Sequence, residues 1–183
     1  MLLQSISFAV FFVVLLTLLA VVRHHRLKIA LLILAGWVFY GWWDVRFLPL
    51  LWSYTLVGLI AGLALASPRL EAYRRPIFWA SIAVCLLVLG YFKYTNFLAH
   101  SIAELIGVQP PQFDIALPIG ISFISFEIIS YVCDVHDRKL KPSRDLMEFA
   151  LFNGFFPRLI SGPIIRPAQF LPQMNYSPVL RRS

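Results

Sequence analysis

Residues 117–134 read LPIGISFISFEIISYVCD, an apolar run that carries a carboxylate, Glu127, where a lipid-facing helix would exclude one. Read as a helix with Pro118 in its first turn, the run puts Glu127 roughly 13 Å along the axis, near the middle of a hydrocarbon layer about 30 Å thick. An ionised acid there costs about 3 kcal/mol on insertion scales, which about six leucines at roughly 0.5 kcal/mol each would offset. The segment can therefore insert, but Glu127 should face away from lipid. At steps of three, four and seven, Gly120, Phe123, Glu127, Ser130, Tyr131 and Asp134 share one small-residue and polar stripe. Such a stripe suits a protein interior or a wet cavity.

The surrounding chain agrees with a membrane setting. Its 183 residues are 60% hydrophobic and only 14% charged, too poor in charge for a soluble domain of that size. The net charge of +7 does not point to nucleic acid, because the cations sit between apolar runs. Cys85 and Cys133 lie inside such runs without Cys-x-x-Cys or Cys/His ligand spacing, so no disulfide framework and no metal site is indicated.

Apolar spans are expected at residues 6–22, 29–43, 47–66, 77–92 and 117–134. The first has no basic n-region before it and is expected to be retained as a helix rather than removed as a signal. The second ends on Trp37, Tyr40, Trp42 and Trp43, which suit a headgroup belt or, more sharply, a ligand box. Gly58 and Gly62 give the third a Gly-x-x-x-Gly face for close helix approach, the partner helix being open. After the fourth, with Lys93 snorkelling at its end, residues 96–116 should form a connection with a turn at 109–112 and a short surface helix at 101–106.

Charge sets the expected orientation. The loops after spans one, three and five hold ten Lys or Arg, whereas those after two and four hold Arg46 and Lys93. This alternation predicts an N-terminus outside and three basic loops in the cytoplasm, as for a multi-pass protein of the cytoplasmic (inner) membrane.

Residues 149–165, FALFNGFFPRLISGPII, are broken at Pro157 and Gly162-Pro163 and charged at Arg158. They read either as a re-entrant element packed in protein or as an amphipathic helix lying flat with Arg158 and Arg166 toward headgroups. The fold class is an all-α polytopic membrane protein of about five transmembrane helices plus this broken interfacial or re-entrant segment, part of a larger bundle.

The stretch LPIGISF at 117–123 with Ser130, Tyr131 and Asp134, then Phe155-Phe156-Pro157 and LISGPIIR at 159–166 with Phe170 and Gln173, and FYGWW at 39–43, together resemble the N-terminal part of the membrane-bound O-acyltransferase family. The nearer branch is that of alginate O-acetylation, beside the D-alanyl transfer proteins of teichoic acid modification. The resemblance implies a tunnel between the membrane faces and an intramembrane histidine that helps move an acyl group from a cytoplasmic donor to an extracytoplasmic acceptor. A histidine titrating near neutral pH can take the acceptor's proton, and a closed funnel keeps water from the donor.

That histidine lies downstream of these motifs in the family, so residues 1–183 are expected to be the N-terminal portion of one acyltransferase domain, truncated before it and inactive alone. His24, His25, His100 and His136 sit in loops or at a helix end, and no catalytic residue is expected within this chain. Glu127, Ser130, Tyr131 and Asp134 are candidates for lining the tunnel or for function, and Arg158 and Arg166 for donor-side contacts. The resemblance implies an acyl thioester as donor with no bound cofactor. Its implied partners are the lipid bilayer, a cytoplasmic donor or carrier and extracytoplasmic polysaccharide acetylation proteins, and no nucleic acid is expected. The alternative is a non-catalytic polytopic protein, a transporter half or assembly subunit, with Glu127 in an ion or proton path.

Overall fold

The structure, a computed structural model, describes residues 6–109, 113–161 and 167–174. Among the described residues eight α-helices run in the order α1 (Ile6–Val21), α2 (His25–Trp43), α3 (Leu48–Leu65), α4 (Arg74–Ile106), α5 (Ile121–His136), α6 (Leu146–Gly154), α7 (Phe156–Ser161) and α8 (Pro167–Met174), and there is no strand. Helix α2, the stretch Val45–Leu65 containing α3, and the stretch Pro68–Ile106 containing α4 are long and apolar enough to cross a membrane; α1 is apolar but shorter. Helix α5 has 16 residues, about 24 Å of axis, and reaches membrane thickness only with the non-helical residues before it. The chain is an all-α polytopic membrane protein.

Two boundaries differ from the sequence reading. Helix α4 continues through residues 93–106 without a break, so Lys93 lies inside it and the surface helix expected at 101–106 is its last turns. Lys93, Asn96 and His100 end the hydropathy but do not break a helix. Gly107 does, at φ 73, and the Val108 N–H closes the end on the Ala103 carbonyl at 3.0 Å. Helix α5 starts after Gly120, not at Pro118, because Gly120 takes the left-handed conformation at φ 71 and its carbonyl accepts the Ile124 N–H at 2.9 Å. Glu127 then lies roughly 9 Å along the helix rather than 13. The turn expected at 109–112 lies largely outside the described residues.

The core forms where α3, α4, α5 and α6 meet, around Leu51, Tyr54, Ile128, Tyr131, Phe149 and Phe152. Apolar burial drives little of this in lipid, where close packing and hydrogen bonds between helices matter more. The Gly-x-x-x-Gly face of α3 is used for that purpose. A methyl at Gly58 would stand 2.7 Å from the Phe149 ring, and one at Gly62 2.7 Å from the Tyr131 ring, so the partners are α5 and α6. Gly36 of α2 likewise lets the Gly154 carbonyl of α6 lie directly against it.

Hydrogen bonds tie the same helices. The Tyr54 hydroxyl lies within hydrogen-bond distance of the Ser125 hydroxyl, at 2.8 Å, and of the Cys85 carbonyl, at 3.2 Å, joining α3, α5 and α4. Cys85 is a buried free thiol, and Cys133 is also unpaired.

The connections gather by charge. At one end Arg26 pairs with Asp145 at 3.3 Å, Arg138 with Glu71 at 2.7 Å, and Arg74 donates to the Val135 and His136 carbonyls at 3.2 and 2.6 Å. The loop after α5 thus touches both of the other basic connections. At the other end Arg46 and Phe47 share a small cleft with residues 114–116, and Asp44 caps its turn by accepting the Arg46 N–H at 2.9 Å. The Arg46 guanidinium holds the Asp44 carboxyl below the usual aspartate range.

Of the aromatic group at the end of α2, Trp42 and Trp43 are exposed, as a headgroup belt requires. Tyr40 is buried, and Trp37 meets Trp52 edge to face at 5.4 Å, so these two belong to the packing.

Candidate functional site

The unusual stretches of sequence meet. Helix α6 starts at Asp145, whose side chain accepts the Met147 N–H at 2.9 Å, and stops at Phe155, an extended residue that turns the chain into α7. Pro157 sits in the first turn of α7, where its missing N–H breaks no helical bond. The break places Arg158 inside the protein, where it donates a hydrogen bond to Glu127.

Both partners are enclosed, with side chains 5% and 2% exposed. Arg158 lies between aromatic faces, 5.1 Å from the Phe152 centroid and 4.8 Å from that of Phe170, so α6 and α8 hold the guanidinium while α5 supplies the counter-charge. This separates the two readings of 149–165. A flat helix with Arg158 toward headgroups would leave the arginine wet; the buried pair is that of a broken segment packed in protein.

A second polar contact supports it. Asn153, one residue before the α6 end, donates to the Thr55 hydroxyl at 2.8 Å and to the Leu51 carbonyl at 3.2 Å, pinning α6 to α3. The sequence reading does not single out Asn153 or Phe152, and it names Phe170 only as part of the resemblance. An amide inside an apolar run was the available signal for Asn153, whereas nothing local announces an aromatic cage built from two helices.

The remaining candidates divide. Tyr131 is fully buried and accepts the Ser143 N–H at 3.2 Å, so its hydroxyl ties α5 to the following loop. Ser130 and Asp134 are half-buried, as are Gly120 and Phe123, on the side of α5 next to the exposed Phe126. One Asp134 oxygen is buried with no hydrogen-bond partner among the described residues. Arg166 lies outside the described residues. Residues 117–123 line an open hollow of about 360 Å³ at the start of α5, far along the bundle from the basic loops.

None of the four histidines meets these groups. His24, His25 and His100 are exposed, and His136 at the end of α5 rests on the Phe78 ring at 4.2 Å. No cluster of metal-ligating side chains occurs among the described residues.

A multi-helix membrane bundle, with a buried acid and arginine joining a broken helix to its neighbour, defines a class of polytopic membrane proteins before any relative is considered. The relatives narrow the class. The chain is 41% identical over 158 residues to the probable alginate O-acetylase AlgI of Pseudomonas aeruginosa, covering 83% of this chain and 30% of that protein. It is 40% identical to the AlgI of Azotobacter vinelandii, over 82% of this chain and 31% of the relative. The peptidoglycan O-acetyltransferase of Helicobacter pylori is 27% identical over 79% of this chain and 32% of its own length. The chain thus belongs to the membrane-bound O-acyltransferase family and spans about a third of the length of the curated relatives it matches. No family model and no solved structure matches it.

Proposed function

We propose that this chain forms one wall of a membrane O-acyltransferase that moves an acyl group, in the first instance acetyl, from a cytoplasmic donor to hydroxyls of an extracytoplasmic polysaccharide such as alginate. What carries the reading is the 41% identity to a probable alginate O-acetylase over 83% of this chain. The physical arrangement is compatible with it. The basic loops occupy one end of the bundle and the hollow at 117–123 the other, so a path along α5 would join two chemically distinct faces.

Within that path the residues take different parts. The Glu127–Arg158 pair is a positioning element: it fixes α7 against α5 and keeps the wall dry and rigid where the helix is broken. Ser130 and Asp134, with Phe123 and Gly120, form the partly open edge of α5 and are the residues that would face the acyl path. Arg158 is committed to Glu127 and to two rings, so of the two donor-side candidates only Arg166 is retained for a phosphate-bearing donor or its carrier. None of the four histidines lies beside these groups, and the resemblance assigns the part of catalytic base to a histidine beyond these motifs. The placing of the basic loops supports a cytoplasmic-membrane location with the N-terminus outside. Extracytoplasmic acetylation proteins would receive the product.

The alternative of a non-catalytic ion-path protein is less favoured. Its central feature, a Glu127 open to ions, is at odds with a carboxylate enclosed against Arg158.

The test is to join this chain to the histidine-bearing remainder of the Pseudomonas relative and supply membranes with a labelled acetyl thioester and alginate. Ester-linked label on the polysaccharide supports the proposal. A chimera that is folded and inserted yet transfers nothing contradicts it.

A further inference from the structure

We propose that the cleft at the basic end of the bundle, about 620 Å³, holds the phosphate of an anionic phospholipid headgroup. This rests on the membrane fold and not on the acyltransferase reading. The cleft lies between the turn after α3 and the loop after α5, at the end of the bundle where both helices stop. Its polar lining is Arg74, Arg138 and Lys141 against the single carboxylate Glu71. Three cations and one anion leave an excess of two positive charges.

Arg74 is used internally, on the α5 terminal carbonyls and on Glu71 at 3.3 Å. Arg138, in a left-handed conformation at φ 59, swings its side chain to Glu71 while remaining 72% exposed. Lys141 is exposed and makes no ion pair among the described residues. The cleft therefore has a preformed floor and two accessible cations at its rim.

The rest of the lining separates a lipid from a soluble anion. Val135 and Leu140 give the cleft an apolar wall beside the cations. A phosphate ion gains nothing from that wall, whereas a phospholipid can place its glycerol and upper acyl carbons there and its phosphate between Arg138 and Lys141. Basic pockets at the cytoplasmic ends of membrane helices suit such headgroups for this reason.

The experiment is native mass spectrometry of the full chain released from detergent micelles doped with phosphatidylglycerol or phosphatidylcholine, with and without excess inorganic phosphate. Retention of phosphatidylglycerol over phosphatidylcholine, unaffected by phosphate, is expected. Lys141→Gln should lower that retention about fivefold, Lys141→Arg should preserve it, and adding Arg138→Gln should lower it about fivefold again. Lys141 is exposed, so its variants keep the parent's melting and remain informative if Arg138→Gln loosens the loop. Equal retention of the two lipids, displacement by inorganic phosphate, or undiminished binding by Lys141→Gln would overturn the assignment.

Discussion

Replacing Glu127 by glutamine preserves the shape of the side chain and removes its charge, which leaves the Arg158 guanidinium enclosed without a counter-ion. Both side chains are almost wholly buried, so solvent cannot screen the change. Breaking one half of such a pair costs about 3–5 kcal/mol, whereas replacing both halves by apolar groups of similar volume is often close to neutral. The Phe152 and Phe170 faces hold Arg158 in parent and variant alike and do not compensate. Glu127→Gln and Arg158→Met should therefore each destabilise by about 3 kcal/mol or more, and Glu127→Leu with Arg158→Met by clearly less than either. Tryptophan fluorescence during thermal melting or SDS titration in a fixed detergent would follow the loss. Single variants that unfold with the parent, or a double variant whose loss equals the sum of the singles, would refute the pair as an energetic unit.

Gly62→Ala should destabilise by about 1–3 kcal/mol through its collision with Tyr131, whereas Gly90→Ala, with open space around it, should be neutral or slightly stabilising; parallel melts decide. Asn153→Ala should cost about 0.6–1.7 kcal/mol, the range for interhelical hydrogen bonds in membranes, and a melt identical to the parent's would remove Asn153 from the account. Arg74→Gln should speed amide exchange at the end of α5 without affecting the start of α3; unchanged exchange at 135–140 would contradict its capping role. Hydrogen bonds from Lys139 and His136 hold the Asp137 carboxyl below the usual aspartate range. Its contribution is therefore present above the unfolded value and lost as pH falls through the folded one, and a titration midpoint at or above that of free aspartate would rule this out.

The membrane class was legible from hydropathy alone, and the stripe through Glu127 correctly announced a residue hidden from lipid. Its partner was less accessible. Arg158 and Glu127 are 31 positions apart, and their meeting depends on the break at Phe155 and on rings from two helices, none of which has a local period. The length of α4 was misread because hydropathy marks where a span leaves the membrane, and helicity continues past that point until a residue such as Gly107 ends it. The Gly58–Gly62 face was visible as a motif, but its partners on α5 and α6 were not, since the two glycines advertise closeness without naming what comes close.

The central claim is that this segment builds a working wall of a polysaccharide O-acetylating enzyme. The most direct measurement is the acetyl content of alginate secreted by a strain whose own acetylase has this chain in place of its corresponding third, read by proton NMR. The account predicts restored acetyl esters with the native chain and a large loss with Glu127→Gln at equal membrane abundance. Stable chimeric protein with no acetyl on the polymer would contradict it.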